Sequence, residues 1–321
     1  MEGAYITPSF LLKKVFNNDE QRMVLDTFRQ HNDELRQLVG IDYSPVTINR
    51  YDNCLRSLTY LVKKELGKND ITFYEFTGEL VRKYEIYLKT EKGLCQNTIV
   101  RYMKCIKKIS NRALDNGWMK KNPFAGLKFR QPQTNPTFLS MEELNSLIEK
   151  EFDIERLNLV KDVFIFCCFT GLAFIDVQNL TKDHIVKDNN GDLWIRMSRK
   201  KTNQMCNVPL LNVSVAIIEK YKNHPMCQQK GILLPVMCNQ RMNSYLKEIA
   251  DLCGVKKHLS THATRHTFAT TITLANGVAL ENVSKMLGHT STRMTEHYAK
   301  VLDQTIHSDM KSVQQRLSEN K

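Results

Sequence analysis

Thr261-His262-Ala263-Thr264-Arg265-His266, then Leu287-Gly288-His289, then Tyr298: this run near the C-terminal end governs how the rest of the chain is read. Two imidazoles (His262, His289), a guanidinium (Arg265) and a phenol (Tyr298) recur in fixed order within one short helical region. A guanidinium is a rigid fork of donors that can grip a phosphate in two places. Histidines beside it can donate or take protons, and a tyrosine at hand adds a nucleophile. Together these groups suit a phosphodiester. A tyrosine on a helix is ordinarily half-buried packing, so Tyr298 draws its meaning from what precedes it. His266 reads as a supporting core histidine and His297 as exposed. His262 and His266 stand at i and i+4, a spacing that can seat zinc. Arg265 between them would repel a cation and no acidic third ligand is evident, so no metal is expected.

Working outward, Thr170-Gly171-Leu172 is followed by Asp176 and Leu180, and the segment 194–210 carries Arg199, Lys201 and Val208-Pro209-Leu210. These boxes, in this order, resemble the tyrosine site-specific recombinases, the phage integrase family, over roughly residues 134–321. His289 and Tyr298 keep that family's nine-residue interval. One position departs: Ala173 stands where the family's first arginine follows Thr-Gly-Leu. Asp176 replaces the usual Glu, a milder change. Arg199 lies two residues before Lys201 in a segment that reads as a strand, so both are expected on one sheet face, with Arg196 on the other. Arg199 is therefore the expected replacement. Ala or Ser in this box also resembles the integrases of Bacteroides-type mobile elements.

The resemblance implies a mainly α fold: an N-terminal helical DNA-clamping domain and a C-terminal, mostly helical catalytic domain with a small antiparallel sheet. It also implies cleavage and rejoining of DNA through a 3′-phosphotyrosine, with neither metal nor ATP and no cofactor. Tyr298 would be the nucleophile, Arg265 and Arg199 the clamp on the non-bridging oxygens, and Lys201 the acid for the departing 5′ oxygen. His262 and His289 would donate hydrogen bonds or manage the tyrosine proton, and Asp176 would orient a neighbour. Implied partners are double-stranded DNA, three further copies in a homo-tetramer joined by tail exchange, and accessory DNA-bending proteins. Two alternatives stay open. One is a type IB topoisomerase-like enzyme; the other, prompted by Ala173, is a non-catalytic DNA-binding relative.

Composition agrees with a polyanionic partner. The 321 residues carry a formal charge of +12, and residues 51–130 hold 17 Lys and Arg against 8 Asp and Glu, or +9 of that total. Charge alone would equally describe a solvated basic face. Nine cysteines without Cys-x-x-Cys pairs or regular spacing indicate neither a disulfide framework nor a zinc site. No signal peptide is visible and no apolar run approaches the ~20 residues that span a bilayer. A cytosolic protein with no membrane partner is expected.

The chain divides by pattern into an extension with a helix (1–40), a helical DNA-binding domain (41–130), a proline-bearing linker (131–137) and the catalytic domain (138–321). Helices are expected over 18–39, 76–88 and 96–114, and Pro45 opens a helix at its first turn. On the helix from Gln96, Arg101, Lys104 and Lys108 recur at i, i+3 and i+7 with Lys107 beside them, a stripe for tracking phosphates. No aromatic pattern suggests single-strand binding. In the catalytic domain Ser140 with Glu143 makes a capping box, and 157–169 reads as a central buried helix. A turn at 189–192 leads to strands 193–197 and 207–210. Helices are expected at 214–221, 239–252, 262–275 and 280–287. A tail stripe of Ile306, Met310, Val313 and Leu317 completes the pattern.

Overall fold

The computed structural model describes residues 22–132, 136–299 and 310, and the chain divides into two compact units at Thr134/Asn135.

Among the described residues the first unit has four helices: α1 (Val24–Gln37), α2 (Pro45–Leu66), α3 (Gly78–Thr90) and α4 (Gln96–Asp115). Ser44 caps α2 by accepting the Thr47 N–H at 3.3 Å, with Pro45 in the first turn. The apolar stripes meet in one core that includes Leu25, Phe28, Leu58, Tyr84, Ile99 and Ile106. The expected first helix is shorter in the structure. It starts at Val24, where the Leu25 and Asp26 N–H groups donate to the Asp70 carboxylate at 2.8 and 2.9 Å. Residues 18–21 lie outside the described residues. On α4 the buried face holds Ile99, Met103, Ile106 and Ile109, which leaves Arg101, Lys104, Lys107 and Lys108 exposed.

The second unit is built on α6 (Glu155–Thr170), apolar on nearly every side and surrounded by other helices. Around it lie α5 (Met141–Glu149), α7 (Phe174–Gln178), α8 (Asn212–Tyr221), α9 (Pro225–Lys230), α10 (Asn239–Leu252), α11 (Ala263–Thr267), α12 (Leu280–Met286) and α13 (Arg293–Ala299). The capping box on α5 is present in both directions, at 2.8 and 3.2 Å. A three-stranded antiparallel sheet runs β1 (Ile185–Lys187), β2 (Leu193–Ser198), β3 (Met205–Pro209). Ile195 pairs with Ile185 on one side and with Val208 on the other. β1 escapes a sequence reading because three half-exposed residues are too few to show alternation.

Two expectations are corrected. The strand ends at Ser198, so Arg199 and Lys201 lie in the connecting turn and not on one sheet face. The Arg199 N–H donates to the Gln204 carbonyl at 2.9 Å, and the Asn203 N–H to the Arg199 carbonyl at 2.9 Å, which closes the loop. The helix expected over 262–275 is broken. α11 stops at Thr267, six residues (Phe268–Thr273) take π-helical form, and Leu274–Asn276 tighten to a 3₁₀ turn. Threonine hydroxyls compete for the carbonyls there: Thr270 donates to the His266 carbonyl at 2.6 Å, and Thr273 to those of Phe268 and Ala269 at 3.0 and 2.9 Å. Such back-bonding bends and distorts helices, and π-turns recur at functional sites.

Candidate active site

Arg265 emerges from α11 into the interior and is 5% exposed. One guanidinium nitrogen donates to the Gly171 carbonyl at 2.7 Å and another to the Leu287 carbonyl. Gly171 ends α6 with φ +64°, and a Cβ there would stand 2.3 Å from the Phe268 ring, so only glycine lets α6 approach the π-turn this closely. Burial, then the charge of Arg199, pushes the Arg265 pKa down to about 10, which still leaves it a cation at neutral pH.

Arg199 reaches the same place from the β2–β3 turn. Its Nη1 donates to the Gly288 carbonyl at 3.0 Å, and its buried Nε has no partner among the described residues. The chain passes over Gly288 so closely that a Cβ there would stand 2.7 Å from Arg199 Cδ and 2.6 Å from Cys206 Sγ. The hydrogen bonds of both guanidiniums go to backbone carbonyls. Arg265 is buried and Arg199 half-buried, and each repels the other. Among the described residues neither forms an ion pair, and the buried Asp176 carboxylate acts on Arg265 only from a distance, so the pair is short of the negative charge that burial of cations calls for.

Tyr298 on α13 is 6% exposed. Burial raises its pKa, while the Arg265 and Arg199 charges pull the other way. Around it stand three imidazoles. The His266 ring centroid is 5.2 Å from that of Tyr298 and 4.6 Å from that of His262. The His289 ring lies almost parallel to Tyr298 at 6.3 Å. Burial and then nearby positive charge hold His266 and His289 down to about 4, so both are neutral at physiological pH. His262, though more exposed, is also lowered, by partial burial and then by Arg265 and Lys201.

The remaining sequence candidates fall into place around this group. Asp176 on α7 is 2% exposed, and its Oδ1 accepts the Lys200 N–H at 3.0 Å, which fastens the turn between Arg199 and Lys201. Lys201 itself is exposed on that turn, near enough for its charge to act on His262. Ala173 precedes α7 and stands two residues from the Gly171 carbonyl that Arg265 grips. His297 is exposed. Arg101, Lys104, Lys107 and Lys108 belong to the first unit and are described there.

Two residues of this site carry no motif. Thr295, fully buried, shares a 2.8 Å hydrogen bond with His289 Nδ1. Its position three residues before Tyr298 puts it on the same helix face, the one signal available in the sequence. Cys206 lies buried beside Arg199 and Gly288, its thiol pushed up to about 11 by burial. Nothing in the sequence marks it.

A phenol, two guanidiniums in no ion pair among the described residues and neutral imidazoles are groups suited to attack on a phosphodiester. On a mainly helical fold of this kind they define the class of tyrosine recombinases. The chain belongs to the phage integrase family: its sequence matches the model for that family over residues 137–305, and a phage integrase SAM-like domain over residues 23–131. It is 24% identical over 208 residues to transposase B from transposon Tn554 of Staphylococcus aureus (strain Mu50), a match covering 59% of this chain but only 32% of the transposase. It is 25% identical over 246 residues to a tyrosine recombinase of Pseudothermotoga lettingae, covering 74% of this chain and 83% of that protein. The fold is similar to a lambda integrase dimer bound to a COC′ core site, with a TM-score of 0.67 at 13% identity over 86% of this chain and 95% of that one. It is likewise similar to a lambda integrase tetramer bound to a Holliday junction, with a TM-score of 0.68 at 12% identity over 89% of this chain and 80% of that one.

Proposed function

We propose that this chain is a site-specific DNA integrase that cuts and rejoins strands through Tyr298. The observation that carries the reading is the convergence of Arg265 and Arg199 beside the buried Tyr298, with neither guanidinium in an ion pair among the described residues.

A scissile phosphate would supply an anionic partner. Arg265 and Arg199 would neutralise its non-bridging oxygens as phosphorus becomes five-coordinate. The Thr295 hydroxyl, donating to His289 Nδ1, would fix the tautomer with a proton on Nε2, leaving that edge free to donate to a phosphate oxygen. His262 would donate from its more exposed position, with His266 packed between it and the nucleophile. The Tyr298 oxygen attacks as its phenol proton passes to a neutral imidazole of the site, the P–O5′ bond breaks, and Lys201 delivers a proton to the leaving oxygen. Asp176 acts by holding the Lys200 amide and, through it, the turn. The 3′-phosphotyrosine keeps the phosphodiester energy, so another 5′-hydroxyl can reverse the step without ATP or metal.

Arg199 in place of an arginine at position 173 supports a finer assignment, to the integrases of Bacteroides-type mobile elements. The exposed stripe Arg101, Lys104, Lys107 and Lys108 would follow the backbone of double-stranded DNA. A homo-tetramer joined by tail exchange, accessory DNA-bending proteins and a cytoplasmic location complete the proposal. The lambda integrase tetramer supports the assembly by fold alone. Of the tail stripe, Ile306, Val313 and Leu317 lie outside the described residues, and Met310 is 60% exposed. Ala173 favours one second reading, a relative that binds DNA without cutting it.

The test is transfer of a labelled strand between two duplexes carrying the ends of the chain's own element, in EDTA and without nucleotide. Recombinant product is expected; a strict requirement for divalent metal would defeat the mechanism.

A further inference from the structure

We propose that a cleft on the first unit, walled by Tyr60, Tyr87 and Tyr102, holds a nucleotide that has left the base stack. The inference rests on the strand-exchange reading, because moving a strand between duplexes requires bases beside the cut to unpair and to be kept from pairing again at once.

The cleft has a volume of about 400 Å³, within the roughly 300–1,000 Å³ of small-ligand sites. Its walls come from three helices. Tyr60 on α2 stacks on Tyr87 of α3 with ring centroids 5.5 Å apart and 24° between planes, and Tyr87 continues onto Tyr84 at 6.2 Å and 30°. This column of rings ends in solvent, where Tyr60 is 53% exposed. A stack with an open end is a platform for one more flat ring. The neighbouring charge is positive. Lys92 Nζ lies 5.8 Å from the Tyr60 centroid and 6.0 Å from that of Tyr87, and Arg56 is exposed on the α2 wall. No described carboxylate lines the cleft, and Glu91, next to Lys92 in sequence, is engaged by Lys64 at 2.6 Å. The Tyr87 hydroxyl is buried with no hydrogen-bond partner among the described residues, a state buried polar groups rarely keep.

An aromatic face flanked by two cations, without a competing acid, suits a base together with its own phosphate. A paired duplex cannot use the ring, since its base faces are already stacked. It can use the adjoining surface: Tyr102 follows Arg101 on α4, so the cleft opens beside the phosphate-tracking stripe. A base released from a duplex lying on that stripe would have a short path to Tyr60. The α2, α3 and α4 tyrosines are far apart in sequence, and only the fold assembles them.

The experiment compares binding of the full-length protein to two otherwise identical duplexes. One is fully paired; the other carries a single bulged 2-aminopurine, whose fluorescence falls on stacking. The expected preference for the bulge is about tenfold, the scale of one base stacked on one aromatic side chain, with fluorescence quenched on binding. Tyr60→Ala should abolish preference and quenching while leaving affinity for the paired duplex unchanged. Tyr60→Phe should retain both, and Lys104→Ala should weaken both duplexes alike. Equal affinity of the wild type for the two duplexes would overturn the proposal, as would a preference that survives in Tyr60→Ala. In the second case the bulge would be favoured for its flexibility. Covalent adduct formation by Tyr298 is scored in parallel. Adduct without bulge preference rejects the cleft and leaves strand exchange standing. Absence of adduct on substrates known to carry the site counts against strand exchange itself.

Discussion

Replacing Gly288 by alanine should disable the proposed clamp without replacing any of its side chains. Gly288 has φ +57°, and an added Cβ would lie 2.7 Å from Arg199 Cδ, 3.2 Å from its Cγ and 2.6 Å from Cys206 Sγ. The left-handed backbone costs an alanine about 1–2 kcal/mol, and the crowding about 1–3 kcal/mol more. A unit of this size loses roughly 2–4 °C in Tm for each kcal/mol, so a fall on the order of 10 °C is expected. The easier escape is for Arg199 to swing away and break its 3.0 Å bond to the Gly288 carbonyl. Removing one preorganised donor from a developing anionic centre slows reaction about 10²–10³-fold. Single-turnover cleavage of a nicked duplex should fall by that amount, below the melting temperature of the variant. Arg199→Ala removes the same donor with little strain, so it should match the rate loss while keeping most of the stability. The double variant decides the matter: its rate should be no lower than that of either single variant, and part of the lost Tm should return because Arg199 no longer meets the new methyl. Wild-type cleavage by Gly288→Ala, or rate losses that multiply in the double variant, would refute the claim that Gly288 acts through Arg199.

His266 and His289 have folded pKa values of about 4 against an ordinary 6.5. As pH falls the unfolded chain takes up protons first, so the stability from keeping them neutral is complete above 6.5 and is lost towards 4. Melting curves across that range should show this decline, shallower in His266→Asn; a matching slope would mean the ring is not held neutral, and His31, also held at about 4 by burial, would account for the remainder. Asp176→Ala removes the acceptor of the Lys200 amide and should slow cleavage about tenfold, with DNA affinity unchanged. An unchanged cleavage rate would show that the turn needs no tether. Thr295→Val keeps the packing and deletes the bond to His289 Nδ1. Single-turnover cleavage should again drop about tenfold, and an unaltered rate would remove Thr295 from the site.

Much of the candidate site was legible because the proposed chemistry needs rare residue types in fixed order, and the fold brings Arg265, His262, His289 and Tyr298 into one cluster. The long helices were also legible, since α2 and α4 carry clear apolar periods, α6 is a nearly continuous apolar run, and α2 has a Ser-Pro start. For Arg199 the expectation of a place near the other candidates holds while its reason does not. Its charge acts on Arg265, His289 and Tyr298, yet it reaches them from a turn, lying across Gly288, and strand alternation has no part in it. Periodicity cannot see where threonine hydroxyls take over carbonyls, so the π-turn after α11 read as plain helix. Thr295 and Cys206 belong to the site through contacts made only on folding. The Tyr60–Tyr87–Tyr102 cleft is the same case on the first unit, three rings from three helices with no pattern in the chain.

The most direct measurement is denaturing-gel capture of protein on nicked duplexes bearing the ends of the chain's own element, run for wild type and Tyr298→Phe and followed by peptide mapping of the bound residue. The account predicts a shifted band for wild type, carrying the 3′ end of the cut strand on Tyr298, and no band for Tyr298→Phe at unchanged DNA affinity. A covalent band that persists in Tyr298→Phe, or binding to a proven site with no adduct from wild type, would contradict it.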